Sequence, residues 1–243
     1  IPMNFELQFG GESMPAAEVR GGDMDISVSG IVDRVDGWLH DNKLYLRVVD
    51  YKTGKKTFDL SEVWYGLGMQ MLIYLFTLER HGSKLYGQEI VPAGVLYAPA
   101  RDVYLSLPRS ASDEEIRKAR AKSIMRSGLI LNDEKVIEAM ERGEKKYLPI
   151  KLSKDGKIKP DNIATLEQLG RLGTHIEETL RNIGREIQRG KIDADPFFKG
   201  GISPCDYCDY VEACLFDEER DRRRRLKHRK AEEIWTDLEK KGR

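Results

Sequence analysis

The sequence predicts an α/β fold, a mixed central sheet flanked by helices with a cysteine segment and a helical appendage at its C-terminal end. Three observations predict it. Residues 24–38 and 44–52 are strand-like runs joined by the polar, turn-like His40-Asp41-Asn42-Lys43. A helix-period stretch follows, and then two further strand-like runs, giving the order strand, strand, helix, strand, strand. Beyond them the pattern turns helical, and every cysteine falls within residues 205–214. Period-2 segments interleaved with period-3.6 segments are the pattern of a layered α/β domain.

Each element has its own reason. Residues 24–38 are rich in Ile and Val, and 44–52 (LYLRVVDYK) return as a hairpin partner. Side chains alternate along a strand, so Leu44, Leu46, Val48, Asp50 and Lys52 share one face. Thr53–Leu60 reads as a loop, and a helix starts at Ser61 with Glu62 in its first turn. Trp64, Leu67, Met71, Leu75 and Leu78 form its buried stripe, with Gln70 and Tyr74 one above the other on a neighbouring face. Val91–Ala98 and Asp102–Leu107 read as another strand pair. Ser112 with Glu115 is a capping box opening a charged helix over 112–127, and a second helix spans 133–142. Lys146–Leu152 reads as an edge strand, followed by the turn Lys154-Asp155-Gly156 and a long amphipathic helix over 163–189. Arg220–Lys230 (RDRRRRLKHRK) is a basic run placed on a C-terminal helix. Two units are expected: 1–195, a core with a helical insertion, and 196–243, the cysteine segment with its basic helix.

Composition narrows the function. The chain has 243 residues, 41 basic against 41 acidic, with 40% hydrophobic and 34% charged. Balanced charge excludes a uniformly basic nucleic-acid sleeve but not local basic patches. No apolar run approaches the ~20 residues of a membrane span, and no secretory signal is visible. Three clustered cysteines make a poor disulfide framework and point to a reducing cytoplasm, with the thiols serving a metal or cluster. The first residue is Ile, and Ile1–Asp23 reads as an irregular, Gly-rich continuation of something longer.

The chemistry lies in Gly30-Ile31-Val32-Asp33-Arg34-Val35-Asp36 and Val49-Asp50-Tyr51-Lys52-Thr53-Gly54-Lys55. Asp33 and Asp50 come from neighbouring strands. Two carboxylates there, with the Tyr51 carbonyl, offer the hard oxygen ligands that Mg²⁺ prefers. Lys52, two residues from the second acid, can orient a water or stabilise developing charge. This is a constellation for hydrolysing a phosphodiester. Taken alone, Asp-x-Lys also reads as a strand-end salt bridge of Asp50 with Lys52 or Arg34. The preceding acid motif, Lys55 and the helix with Gln70 and Tyr74 favour the functional reading.

These residues resemble the RecB-type branch of the PD-(D/E)XK nucleases, with its restriction-endonuclease-like core. GIVDRVD is similar to the first acid motif, VDYKTGK to the Asp-x-Lys motif and QMLIY to the Gln-x-x-x-Tyr motif. The resemblance implies Asp33 and Asp50 as ligands of Mg²⁺ or Mn²⁺ and Lys52 as the catalytic lysine, with Gln70 and Tyr74 contacting the substrate strand. Asp36 is read as a residue that supports the ligands or forms a salt bridge, rather than as a ligand. The family also supplies a His or Glu from a helix before the first acid. Here no His precedes Asp33, and Glu12 and Glu18 lie in the irregular stretch, so that helix is expected in sequence upstream.

Cys205, Cys208 and Cys214 form C-x2-C-x5-C. A zinc site or an iron–sulfur cluster takes four ligands, and three are present. His228 lies inside the basic run and is read as solvated. The pattern, with Pro196-Phe197 and Gly201-Ile202-Ser203-Pro204 before it, is similar to a cluster-bearing group of RecB-like nucleases, the AddB-type subunits of AddAB helicase–nucleases. Arg126–Asn132 (RSGLILN) fits that group too. The resemblance implies a 4Fe–4S cluster in the intact protein, incomplete here for want of a fourth cysteine. It further implies DNA as substrate, an AddA-type partner supplying the motor, and resection of double-strand breaks for recombination. Two alternatives stay open: another RecB-group exonuclease, CRISPR-associated or from phage, or a non-catalytic DNA-binding scaffold. Arg222–Arg225, Lys227, Arg229 and Lys230, and likewise Arg117, Lys118, Arg120 and Lys122 on the middle helix, could hold phosphates near the cleft or contact a partner subunit, but each run reads first as a solvated helix face. His81 and His175 have no role assigned, and Phe197 and Phe198 are expected to plug the cluster region.

Overall fold

A computed structural model of the chain describes residues 1–20, 24–54, 56–150, 162–217 and 219–241. The chain opens on strands β1 (Pro2–Phe9), β2 (Ala17–Arg20), β3 (Asp25–Val28), β4 (Gly30–His40) and β5 (Lys43–Lys52). Helices α1 (Leu60–Trp64) and α2 (Gln70–Tyr86) cross over to β6 (Glu89–Pro99). Then come α3 (Asp113–Ser123), β7 (Ser127–Leu131), α4 (Glu134–Met140), β8 (Ile163–Ala164) and α5 (Leu166–Gln188). The C-terminal part holds β9 (Phe197–Phe198), a 3₁₀ turn at Pro204–Tyr207, α6 (Val211–Cys214), β10 (Arg224–Arg225) and α7 (Ala231–Lys241).

The sheet is mixed, as the sequence predicts, in the order β1-β4-β5-β6-β7-β8. β4 and β5 are an antiparallel hairpin whose turn residues, Asp41 and Asn42, both have positive φ, the signature of a twisted two-residue turn. β5 and β6 are parallel, so a helical crossover must join them, and α1–α2 provide it. The larger core lies between the sheet and α1, α2, α5 and α7, with Leu46, Leu75, Leu78, Leu172 and Ile234 fully buried. On the opposite face Val49, Leu96, Ile130, Ile137 and Leu148 form a second core under α4.

Several expectations are corrected. Residues 1–20 are not irregular: β1 pairs with β4, and Leu7 and Phe9 are buried. Glu18 lies on β2, paired with Arg20. The predicted long stripe from Ser61 is two helices, because Gly66 and Gly68 hold φ of 84° and 63°, a conformation that ends α1 and sets a new axis for α2. Asp102–Leu107 forms no strand. Its alternation faces nothing that could bury it, and Tyr104 stands 91% exposed. The continuous apolar run Ser127–Leu131 takes the place beside β6 instead. The charged helix therefore stops at Ser123; its capping box forms as expected, with Ser112 N donating to Glu115 at 2.7 Å. Residues 146–150 are not a strand either, and Leu148 points into the second core. The rest of that segment and Lys154-Asp155-Gly156 lie outside the described residues. The basic run is extended: Arg224–Arg225 pair with Phe197–Phe198, and the last helix begins only at Ala231.

His175 is buried and stacks on Trp64, with centroids 4.8 Å apart. Its Nε2 lies 3.1 Å from the Trp64 carbonyl, and Nδ1 has no partner among the described residues. A proton on Nδ1 would be buried without an acceptor, and burial holds the imidazole below its ordinary value. The unfolded chain takes up that proton more readily. Stability contributed by neutral His175 is therefore fully present above the unfolded value of about 6.5 and is lost as pH falls from there through the lowered folded value. Melting followed from pH 7.5 to about 5 is expected to show a slope that His175→Gln flattens. An unchanged slope in the variant rules His175 out as its source.

Candidate active site

β4 and β5 end side by side, with Arg34 opposite Val49, which brings Asp33 next to Asp50. Asp33 Oδ2 accepts the Tyr51 amide at 2.7 Å, tying the first acid to the backbone between the second acid and the lysine. Lys52 Nζ lies 2.7 Å from Asp50 Oδ2. That oxygen is out of solvent and has no well-directed hydrogen bond among the described residues, so a carboxylate lone pair there is held by ion pairing alone. The Lys52 carbonyl accepts the Ala100 amide at 2.9 Å, and Phe58 N donates to Ser127 Oγ at 2.8 Å, pinning both ends of the loop after β5. Asp33, Asp50 and Lys52 thus lie together where the start of β4 meets the end of β5.

Tyr97, which sequence reasoning missed, sits on β6 opposite Asp50. Its phenol is pushed up by burial, with the charges of Asp50 and Glu62 adding to the effect. Glu62 is in turn gripped by Lys199, which also meets Asp59, at 2.9 and 2.5 Å. Lys199 lies 137 residues from Glu62, so no local spacing could have announced the contact.

The PD-(D/E)XK nuclease superfamily profile matches residues 1–215. The chain belongs to the PD-(D/E)XK nuclease superfamily. It is also similar over nearly its whole length to proteins named as the B-type subunit of an ATP-dependent helicase/deoxyribonuclease. The protein from Ruminiclostridium cellulolyticum is 33% identical over 242 residues, 96% of this chain and 21% of that protein. That from Acetivibrio thermocellus is 34% identical over 97% of this chain and 21% of its own. That from Clostridium botulinum (Loch Maree) is 35% identical over 99% and 22%. The chain spans about a fifth of the length of these relatives.

Within the PD-(D/E)XK frame, Gln70 opens α2 and its Nε2 donates to Tyr74 Oη at 3.4 Å. Gln70 is exposed, whereas Tyr74 is buried, its ring 4.6 Å from that of Phe9. The Tyr74 hydroxyl lies against Gly30, where a Cβ would come within 1.9 Å of it. The glycine of GIVDRVD is thus the only residue type that lets α2 approach the start of β4 so closely. Asp36 is buried and bridges Arg34 at 2.6 Å and Arg47 at 2.8 Å, the salt-bridge role expected of it. Burial would raise its carboxyl, but the two guanidinium groups prevail and hold it below the ordinary range.

Among the described residues no three His, Cys, Asp or Glu side chains converge at metal-binding distance, so Glu12 and Glu18 do not join the two acids. Cys205, Cys208 and Cys214 are free thiols that line one hollow of about 280 Å³ with Pro196, Pro204 and Phe216. His228 is not among them; it lies 3.8 Å from Asp59. The basic run serves partly as structure: Arg223 and Arg225 lie over the Phe198 ring, and Arg229 pairs with Asp237 at 2.5 Å. Among the described residues no helix is long and apolar enough to cross a membrane.

Proposed function

We propose that this chain is the nuclease module of a helicase–nuclease and cuts DNA with a divalent cation held by Asp33, Asp50 and the Tyr51 carbonyl. The observation that carries the reading is the buried Asp50 oxygen, which lacks a directed hydrogen bond and sits beside a second carboxylate and a lysine. Two carboxylates and a carbonyl are hard donors of the kind Mg²⁺ or Mn²⁺ takes while keeping several waters. Such a cation neutralises phosphate charge and lowers the pKa of a bound water. The chain's own residues do the positioning. Asp33 fixes the turn of backbone at Tyr51, and Lys52 presents a fixed cation where charge develops. Tyr74 holds the start of β4 through Gly30, leaving exposed Gln70 to meet the substrate strand.

The similar proteins named helicase/deoxyribonuclease support placing this module in an ATP-driven assembly with an AddA-type motor partner, in the cytoplasm, where resection of double-strand breaks feeds recombination. The C-x2-C-x5-C spacing supports a 4Fe–4S cluster, which takes four ligands; the three thiols line one hollow but do not converge at metal-binding distance, so binding the cluster would have to draw them together. The test is cleavage of end-labelled DNA by the full-length protein in EDTA and after Mg²⁺ is restored. Cutting is expected only with Mg²⁺, with Asp33→Asn needing more of it. Equal cutting in EDTA overturns the proposal.

A further inference from the structure

Beside Lys52 a groove of about 620 Å³ runs across the ends of β5 and β6 and under α3. Among the described residues its lining includes Lys52, Lys56, Arg101, Lys122 and Arg126 and not one acidic side chain. In a chain with 41 acids for 41 bases, five cations and no acid among the described lining residues mark a local excess of positive charge. Pairing makes the excess sharper. Lys118, on the same helix as Lys122, pairs with Glu114, and Arg171 pairs with Glu167. By contrast, the Arg101, Lys122 and Arg126 side chains have no carboxylate in ion-pair contact and no hydrogen-bond partner among the described residues, and Lys56 meets only the Tyr97 ring, at 6.0 Å. Arg126 is half-buried; burial lowers its guanidinium, and the like charges of Arg47 and Arg34 add to this against the weaker pull of Glu141 and Asp36. One Arg47 nitrogen is itself buried without an acceptor.

Arg126 is half-buried, whereas Lys56, Arg101 and Lys122 are exposed; a half-buried cation left unpaired costs stability unless an anion completes it. The groove starts at the candidate catalytic lysine and continues for several cations, so the anion it suits is a run of phosphates. Phe58, Met125 and Pro149 give it an apolar wall against which bases can lie. A positive track with an apolar wall is the physical design of single-strand binding. We propose that Arg101, Lys122 and Arg126 grip the phosphates of a single DNA strand on one side of the bond being cut. The proposal rests on the nuclease reading for what happens at Lys52, but the grip itself does not need cutting.

The test uses the full-length protein without divalent cation. A 4-thiothymidine single strand is photocrosslinked from about 50 to 200 mM salt, and labelled peptides are identified by mass spectrometry. Label is expected in the peptides carrying Phe58 and Met125. In Arg101→Gln/Lys122→Gln, two exposed positions whose loss spares the core, the yield should fall about ten-fold. Its logarithmic salt slope should also become shallower by about 1.4, roughly 0.7 for each cation removed. Arg126→Gln should give a similar loss singly, with an unchanged melting temperature excluding misfolding. No label in these peptides, or equal yield and slope in the double variant, overturns the proposal. So does equal labelling by duplex of the same sequence. Asp50→Asn separates the two claims: it should keep the label while losing cutting in Mg²⁺. Label kept with cutting undiminished would sink the nuclease reading and leave the groove standing.

Discussion

Lys52→Ala is expected to lower strand cleavage by about 10²–10³-fold while leaving the melting temperature almost unchanged. The two readings of the Asp50–Lys52 contact differ in magnitude, which makes the variant decisive. As a structural salt bridge, the pair has side chains 19% and 40% exposed, and such pairs contribute only about 0–1 kcal/mol. Losing it would cost little stability and no activity. As an electrostatic group at the reacting phosphate, Lys52 matters through charge developing in the transition state. Removing one such preorganised donor costs about 3–4 kcal/mol of barrier. Lys52→Arg keeps the charge but replaces a compact ammonium with a planar fork, so it should recover only part of the rate. Full activity in Lys52→Ala would leave the salt bridge as the whole explanation of the contact.

Asp36→Ala is expected to have the largest effect on stability, about 3–5 kcal/mol. Its carboxylate is buried and holds both Arg34 and Arg47. Truncation strands two guanidinium groups on the face where Arg126 already adds a third. For a chain of this size each kcal/mol moves the melting temperature by about 2–4 °C, so a fall of roughly 10 °C is expected by calorimetry. The pH dependence has a definite sign. The folded-state pKa of Asp36 lies below its ordinary value, so its contribution is fully present above the ordinary carboxylate range and is lost as pH falls through the lowered value. The difference between wild type and variant should therefore persist through mildly acidic pH and close only in strong acid. A variant that melts like the wild type at neutral pH removes Asp36 from the account of stability.

The candidate site residues were legible because they are local. Asp50 and Lys52 are two apart on a strand, Asp33 lies across one hairpin, and Gln70 and Tyr74 are one helical turn apart. Period and hairpin register alone place each of them. Capping at Ser112 was readable for the same reason. The misses come from competition that a local window does not contain. Val103 and Leu105 alternate as a strand should, yet the sheet position they need is filled by the more apolar Ser127–Leu131. Phe5, Leu7 and Phe9 carry the same alternation in a stretch that its glycines make look irregular, and a count of period-2 matches would have found β1. The Gly66 and Gly68 break was visible as two glycines inside a helical pattern. The groove was not visible at all. Lys56, Arg101, Lys122 and Arg126 lie on three separate connections and a helix, and only tertiary structure sets them around one hollow.

The most direct test of the central claim is cleavage of end-labelled duplex DNA in Mg²⁺ by the full-length protein with the proposed AddA-type partner, wild type against Asp50→Ala. The expected result is that cuts on one strand disappear while unwinding and cuts on the other strand continue, which places one nuclease centre at Asp33, Asp50 and Lys52. Unchanged cutting of both strands by the variant would contradict the account and leave the acids and the lysine as a strand-end ion pair.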